Sequence, residues 1–551
     1  MNGSELIASI LSKEGVAIMP AFPYSDLIEA GTKFGIRPII VRQERHALHI
    51  ADGYARTTAG CKICCTAVQH GPGSENSVGA IAQCYADNVP VLHIPGGYAR
   101  ESQGVAPNFS AARNMQFLNK WCEVVPVSGR IPQMLQHAFA LLRNGRPGPV
   151  TLEVPIDIMT EEVDPSLAAA YKVQRRSTPI ADPKDIADLA NAILRARAPV
   201  IVAGQGILYA EACRELLELA ELTQIPVMST LNGKSCFPEN HPLALGCAGY
   251  SRPDQVIHFL DKADLIIGLG TSFTRSDYIT PFPTEGRIFA QLTNWEGDIS
   301  KDYPVDLGVI GDAKLSLAAV IEVIKGRIGP DGRKAENAIA GEVAAVKSAF
   351  MAKWMPHLTS EEEPISPYRV VWDLMHTVDR RKTVVTHDAG TPRDQVTAFY
   401  ETIVPHGYMG WGKTTQLGMG LGLMHGARLA RPDWNCINIM GDAAFGMTGM
   451  DFETGVRNQI GVTTIVLKNS VMGGYTRHHP EAAKKYSIEK LGGNYAAMAT
   501  AMGGHGESVD KPADIKPALR RALAQNAKGM PALIEIITRE EVRIPNLLPK
   551  M

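Results

Sequence analysis

An acidic residue and an amide lie at the ends of two apolar runs, and together they could hold a hard cation. Cys436 to Met440 is a β-type run that stops at Gly441-Asp442, and Val462 to Leu467 is a second that stops at Lys468-Asn469. A helical segment from about Met450 to Asn458 separates them. Two apolar runs around one helix read as a βαβ unit with parallel strands. The right-handed crossover brings both strand ends to one sheet edge, where open α/β sheets bind ligands. Asp442 and Asn469 can therefore be neighbours across 27 positions of sequence. A carboxylate and an amide oxygen suit Mg²⁺ shared with phosphates. Ala443 and Ala444 leave the backbone N–H groups of a helix start open to such a phosphate. The plain alternative is a βαβ turn in which Asp442 caps a helix.

A second candidate is Glu44, where a strand (Arg37–Arg42) meets a helix whose face carries Leu48, Ala51, Tyr54 and Ala55. On residues alone Glu44 is a first-turn carboxylate favoured by the helix dipole. His46 and His49 on the same helix admit a metal reading with Glu44, though histidines on a helix face are common. His70 precedes Gly71-Pro72-Gly73 and Asn76. It is either a titratable acid–base group beside a reacting centre or a loop residue bonded to backbone.

These stretches resemble those of thiamine diphosphate enzymes, acetolactate synthase-like in type (the 2-oxo acid decarboxylase and carboligase group). The first stretch is similar to the diphosphate motif, with Gly441 and Asp442 matching, Ala443 in place of a glycine and Lys468 in place of the first of two asparagines. The resemblance implies Asp442, Asn469 and the Val471 carbonyl as Mg²⁺ ligands. RQERHALHIADGYART resembles the pyrimidine-domain signature and implies Glu44 as the carboxyl that exchanges a proton with the aminopyrimidine ring, work that needs a matched pKa in a water-poor site. His70, Gly71, Pro72, Gly73 and Asn76 fall on the cofactor loop, with His70 where acetolactate synthases usually carry Ser. Asp388, Gly390 and Thr391 end a strand as a phosphate-side loop. Met409 before Gly410-Trp411 matches the bulky residue that wedges the two cofactor rings apart, although a buried Met is ordinarily core filling. Met472 and Gly473 follow the Mg²⁺ loop. Phe109, Ser110 and Tyr475 are substrate-side candidates, with Arg477, His478 and His479 beside Tyr475 either binding a carboxylate or forming a solvated loop. The Met-Val-x-Gln-Trp run of acetolactate synthases does not follow Asn469.

The elements that must position these groups point to three doubly wound α/β domains. The 551 residues exceed one core, since roughly 150 residues per domain gives about three or four. The expected domains are 1–165 (pyrimidine-binding), 184–330 (central, Rossmann-like) and 364–551 (diphosphate-binding), with linkers at 163–183 and 333–363. Residues 144–155 and 527–536 close the outer domains alike, a faint internal repeat. Gly204, Gly206, Gly268 and Gly270 are Rossmann-like without a complete fingerprint. In some relatives the central domain holds FAD or ADP, and in others it is empty.

A net charge of −2 gives no basic footprint for nucleic acid or an anionic membrane. No apolar run reaches the ~18 residues of a spanning helix, and no signal peptide is apparent at the start. Nine cysteines in apolar context suit a reduced cytoplasm, and Cys61, Cys64 and Cys65 lack the second pair that zinc spacing requires. The expected function is thiamine diphosphate- and Mg²⁺-dependent cleavage or ligation of a C–C bond. A 2-oxo acid loses CO₂, and an aldehyde is released or a second carbonyl is joined. The alternatives are a 2-hydroxyacyl-CoA or oxalyl-CoA lyase or decarboxylase, and a catalytically silent cofactor-binding paralogue. The resemblance also implies a homodimer or homotetramer, with Glu44 of one subunit facing Asp442 of the other.

Overall fold

A computed structural model of the chain describes residues 1–276, 278–333 and 338–547. Residues 334–337 of the expected second linker and 548–551 of the expected third domain therefore lie outside the described residues. Eighteen strands form three six-stranded parallel sheets. The first contains β1 (Ile18–Phe22), β2 (Arg37–Ile40), β3 (Cys65–Val68), β4 (Leu92–Gly97), β5 (Trp121–Val124) and β6 (Val150–Pro155). The second contains β7 (Pro199–Ala203), β8 (Val227–Thr230), β9 (Ala244–Ala248), β10 (Leu265–Leu269), β11 (Ile288–Thr293) and β12 (Leu307–Ile310). The third contains β13 (Thr383–His387), β14 (Tyr408–Met409), β15 (Asn435–Gly441), β16 (Thr463–Lys468), β17 (His505–Val509) and β18 (Ala532–Ile537).

The outer sheets have one topology. Their orders, β2-β1-β3-β4-β6-β5 and β14-β13-β15-β16-β18-β17, are the same sequence of positions. The two similar closing segments supply β6 and β18, which occupy equivalent places. The middle sheet runs β12-β11-β10-β7-β8-β9, the doubly wound dinucleotide-fold order with its switch between β7 and β10. Parallel strands covered on both faces need apolar residues throughout, and β16 (TTIVLK) is buried at every position except its last.

Three local features are not announced by the apolar pattern. The helix after β15 starts at once, as Asp442–Thr448, and a 3₁₀ turn leads into Phe452–Asn458. Ala443, Ala444 and Phe445 support helix immediately after the strand, and the turn falls at Gly449. β1 contains Pro20, a residue that argues against strand, yet Pro20 pairs with Ile39 of β2. β5 is a sheet edge with no fully buried position, so its apolar signal is weak.

A core cluster joins the outer domains within the chain. Ile39, Val41, Ala47 and Ile50 pack with Met409, Trp411, Met419, Leu423 and Met424. Here the Glu44–Thr57 and Met419–Ala430 helices cross at glycines. A Cβ on Gly53 would lie 2.1 Å from the Leu423 carbonyl oxygen, and one on Gly426 2.1 Å from that of Ile50. No helix among the described residues is long and apolar enough to cross a membrane.

Candidate active site

In the third sheet, the ends of β13, β15 and β16 gather the phosphate-side residues. Asp442, 4% exposed, opens the helix after β15. Its Oδ1 accepts the Ala443 N–H at 2.9 Å and its Oδ2 accepts the Ser470 N–H at 2.8 Å. Asp442 therefore fixes the turn after β16, where Asn469 Oδ1 accepts the Val471 N–H at 2.9 Å. Ser470 sits in the left-handed region at φ 59°, which turns the chain sharply between Asn469 and Val471. Burial pushes the Asp442 carboxyl up, against the backbone N–H groups of Ser470 and Ala443. That desolvated charge is one a cation would compensate.

Thr391 starts the Thr391–Phe399 helix behind Gly390 at φ 87°. Thr391 Oγ1 lies 3.8 Å from where a Cβ on Gly473 would sit, and the adjacent Pro392 ring lies 3.9 Å from such positions on Gly390 and Gly441. Gly390, Thr391, Gly441, Asp442 and Gly473 thus border one space. Ala443 is partly exposed and Ala444 is buried. The Met472 N–H donates to the Glu489 carbonyl at 2.7 Å, which ties down the loop after Val471.

Asp388 has a different environment. It is fully buried at the end of β13, and its oxygens accept the N–H groups of Gly418 and Gly420, both at 2.9 Å. The carboxylate anchors the start of the Met419–Ala430 helix, and burial raises its pKa to about 6 despite those amides. Met409 ends β14, is 5% exposed, and has its carbonyl held by Thr386 Oγ1 at 2.7 Å. Gly410 follows so tightly that a Cβ would fall 1.8 Å from the Leu231 carbonyl oxygen. Trp411 then stacks on His387, with ring centroids 5.1 Å apart.

In the first sheet, Glu44 begins its helix after β2 and is 5% exposed. Its Oε2 accepts from Asn76 Nδ2 at 3.1 Å. Its Oε1 lies 3.5 Å from the position of a Cβ on Gly73, so glycine keeps that oxygen approachable. Gly71, at φ 64°, and Pro72 lead into the Pro72–Ala86 helix that carries Gly73 and Asn76. Glu44, Gly73 and Asn76 are thereby brought together. His70 is half-buried just before this turn, edge-on to Tyr98 with ring centroids 4.9 Å apart.

The substrate-side candidates lie at the starts of two short helices. Ser110 caps Ala111–Met115 and donates to Glu153 Oε2 at 2.9 Å, while Phe109 packs partly against the apolar cluster that includes Leu48, Ala51, Ile81 and Met115. Tyr475 opens a four-residue helix and meets His479 edge-on. The His46–His49 metal alternative finds no support. His46 Nε2 is 3.0 Å from His425 Nδ1, and no group of three or more His, Cys, Asp or Glu gathers as a metal site among the described residues. The Asp442–Asn469–Val471 set needs only one such residue. Sequence reading passed over Tyr98, despite its place after the Gly96-Gly97 strand end, and Leu231, whose backbone and side chain both lie against Gly410.

The comparisons with known proteins join the two half-sites. Residues 1–119 match the N-terminal TPP binding domain of thiamine pyrophosphate enzymes, 186–320 their central domain and 388–536 their C-terminal TPP binding domain. The chain belongs to the thiamine pyrophosphate enzymes. Within them it is of the acetolactate synthase-like group. It is 29% identical to the probable acetolactate synthase large subunit of Methanococcus aeolicus over 95% of this chain and 90% of that protein. It is 27% identical to the glyoxylate carboligase of Escherichia coli O157:H7, over 99% of this chain and 94% of that protein. It is also 27% identical to the acetolactate synthase large subunit of Lactococcus lactis, over 100% and 94%. Each half-site of this thiamine pyrophosphate enzyme thus falls in one of the two matched TPP binding domains. The residues present fit that group. Asp442 and Asn469 carry side-chain oxygens at the ends of β15 and β16, and Glu44 lies beside Gly73 after β2 of the first sheet.

Proposed function

We propose that the protein decarboxylates a 2-oxo acid and either releases an aldehyde or joins the remaining fragment to a second carbonyl. What supports this is that the two matched TPP binding domains have one sheet topology, with Asp442 and Asn469 at strand ends of one and Glu44 beside Gly73 and Asn76 in the other. Thiamine diphosphate, when bound, supplies an acidic C–H at C2 and an electron sink for decarboxylation. Asp442, Asn469 and the Val471 carbonyl would hold Mg²⁺, and Gly441, Ala443, Ala444, Gly390 and Thr391 would border the diphosphate. The charge of the ion offsets that of the phosphates. Met409 and Gly410 shape the floor between the two rings, and Gly71, Pro72, Gly73, Met472 and Gly473 leave room for backbone approach. Glu44, oriented by its hydrogen bond from Asn76, would bond a ring nitrogen of the cofactor and exchange a proton there. His70 faces the reacting centre as acid or base, and Tyr475, Phe109 and Ser110 line the approach.

The relatives named above are synthases and a carboligase, which favours this reading over an acyl-CoA lyase. We infer that Glu44 and Asp442 act across a subunit interface in a homodimer or homotetramer. A cytoplasmic enzyme fits the nine cysteines, all free thiols. The switch point of the middle sheet opens into a cavity bordered by Gly206, Gly270, Asp312, Arg146 and Lys413. We assign it to FAD or ADP, to be checked by the absorbance of whatever heat releases from the purified protein. The main test incubates holoenzyme with a panel of 2-oxo acids and acyl-CoAs and identifies products by mass spectrometry. CO₂ loss with an aldehyde or hydroxyketone supports the proposal. Turnover of acyl-CoAs alone would refute it.

A further inference from the structure

The Glu44–Thr57 helix carries a second buried charge at its far end. Arg56 is 7% exposed and lies among Asp52, one helical turn earlier, Asp87 and the backbone of the third domain. Its Nε and Nη2 donate to the two oxygens of Asp52, Nη2 also donates to Asp87 at 2.9 Å, and Nη1 donates to the Gly410 carbonyl at 3.1 Å. Gln83 Nε2 adds a bond to Asp87 at 2.8 Å. Two carboxylates already balance the one guanidinium, so charge compensation does not call for the fourth contact. Nη1 is the arm that leaves the first domain.

That arm reaches the peptide next to Met409. The Met409 carbonyl is held by Thr386 within the third sheet, Gly410 is pressed onto the Leu231 backbone of the middle domain, and the Gly410 carbonyl is held by Arg56. All three domains therefore clamp two consecutive peptide groups. The Met409 side chain is flexible and carries no strong polar anchor, so its direction depends on how those peptides are held.

We propose that Arg56 is a positioning residue for the Met409 wedge, acting through its hydrogen bond to the Gly410 carbonyl. The proposal rests on the reading of Met409 as the residue between the cofactor rings. It also gives one helix two duties, Glu44 at its start and the wedge at its end. A lysine at 56 keeps the charge beside Asp52 and Asp87, but one ammonium cannot reproduce the planar fork that spans both carboxylates and the carbonyl.

The test compares wild type and R56K by calorimetric titration of the apoprotein with thiamine diphosphate plus Mg²⁺, and separately with inorganic pyrophosphate plus Mg²⁺. Pyrophosphate reads only the Asp442–Asn469 end, while the whole cofactor also reads the wedge. R56K is expected to weaken thiamine diphosphate about tenfold, the order of one charge-assisted hydrogen bond. Its pyrophosphate affinity should stay within about twofold, and the induced circular dichroism of the bound rings should change. Unchanged cofactor affinity, or equal weakening of both ligands, would overturn the proposal. If R56K does not fold, R56K/D87N, in which the ammonium faces Asp52 alone, is measured in the same way. Failure of both to fold would also overturn it, because the group would then serve the fold and not the site. A wild-type protein that binds neither ligand would instead sink the cofactor reading itself.

Discussion

Asp442 and Met409 do opposite kinds of work at the scale of single residues, and their substitutions should fail differently. Asp442→Ala removes the carboxylate proposed to hold Mg²⁺ and also frees the Ser470 N–H that it accepts. Mg²⁺-dependent thiamine diphosphate binding should be abolished, and a titration showing wild-type affinity would contradict the assignment. Met409→Ala removes a side chain with 5% exposure. Truncations of this kind cost about 2–5 kcal/mol where packing is complete. Turnover should fall steeply while the circular dichroism of the fold persists. Full activity in this variant would place the wedge elsewhere.

Among the elements, the crossing of the Glu44–Thr57 and Met419–Ala430 helices decides how the outer domains meet. Gly53→Ala ought to help an isolated helix by roughly 0.5–1 kcal/mol. Here, however, the new methyl would fall 2.1 Å from the Leu423 carbonyl oxygen, and backbone cannot step aside cheaply. Overpacking at about 1–3 kcal/mol should win, giving a lower thermal midpoint, and a raised midpoint would show that the helices can separate. This crossing also shows what a sequence reveals and what it hides. The strands β15 and β16 and the turns after them were legible because parallel buried strands are apolar runs ending in polar residues. The Glu44 helix was legible from its apolar face. The glycines at the crossing were not, because close approach involves residues hundreds of positions apart. Asp388 was read as facing phosphate because it ends a strand, yet its carboxylate turns inward to the amides of Gly418 and Gly420. A strand end locates a loop, but the partner of each side chain there depends on tertiary packing.

Across the whole molecule, burial of histidine makes stability depend on pH. His46, His49, His93, His387 and His425 are buried, and burial pushes each down to about 3. A folded-state pKa below the ordinary value near 6.5 means the unfolded chain takes up protons first. Their contribution is complete above pH ~6.5 and is lost as pH falls toward ~3, by up to about 1.4 kcal/mol per group per pH unit. The urea midpoint should therefore drop between pH 7 and pH 5, and an equal midpoint would contradict the buried, neutral assignment. Two sheets of one topology each carry part of the proposed cofactor site, and the proposed role of Glu44 there is proton transfer. Glu44→Gln keeps the size and a hydrogen bond to the ring nitrogen but cannot exchange the proton. Hydrogen–deuterium exchange at cofactor C2, by rapid quench and NMR on wild-type and mutant holoenzyme, measures this step alone. Exchange slower by ~10²–10⁴ is expected, with a far smaller change in cofactor affinity. Equal exchange rates would contradict it and leave Glu44 as a residue that merely starts a helix.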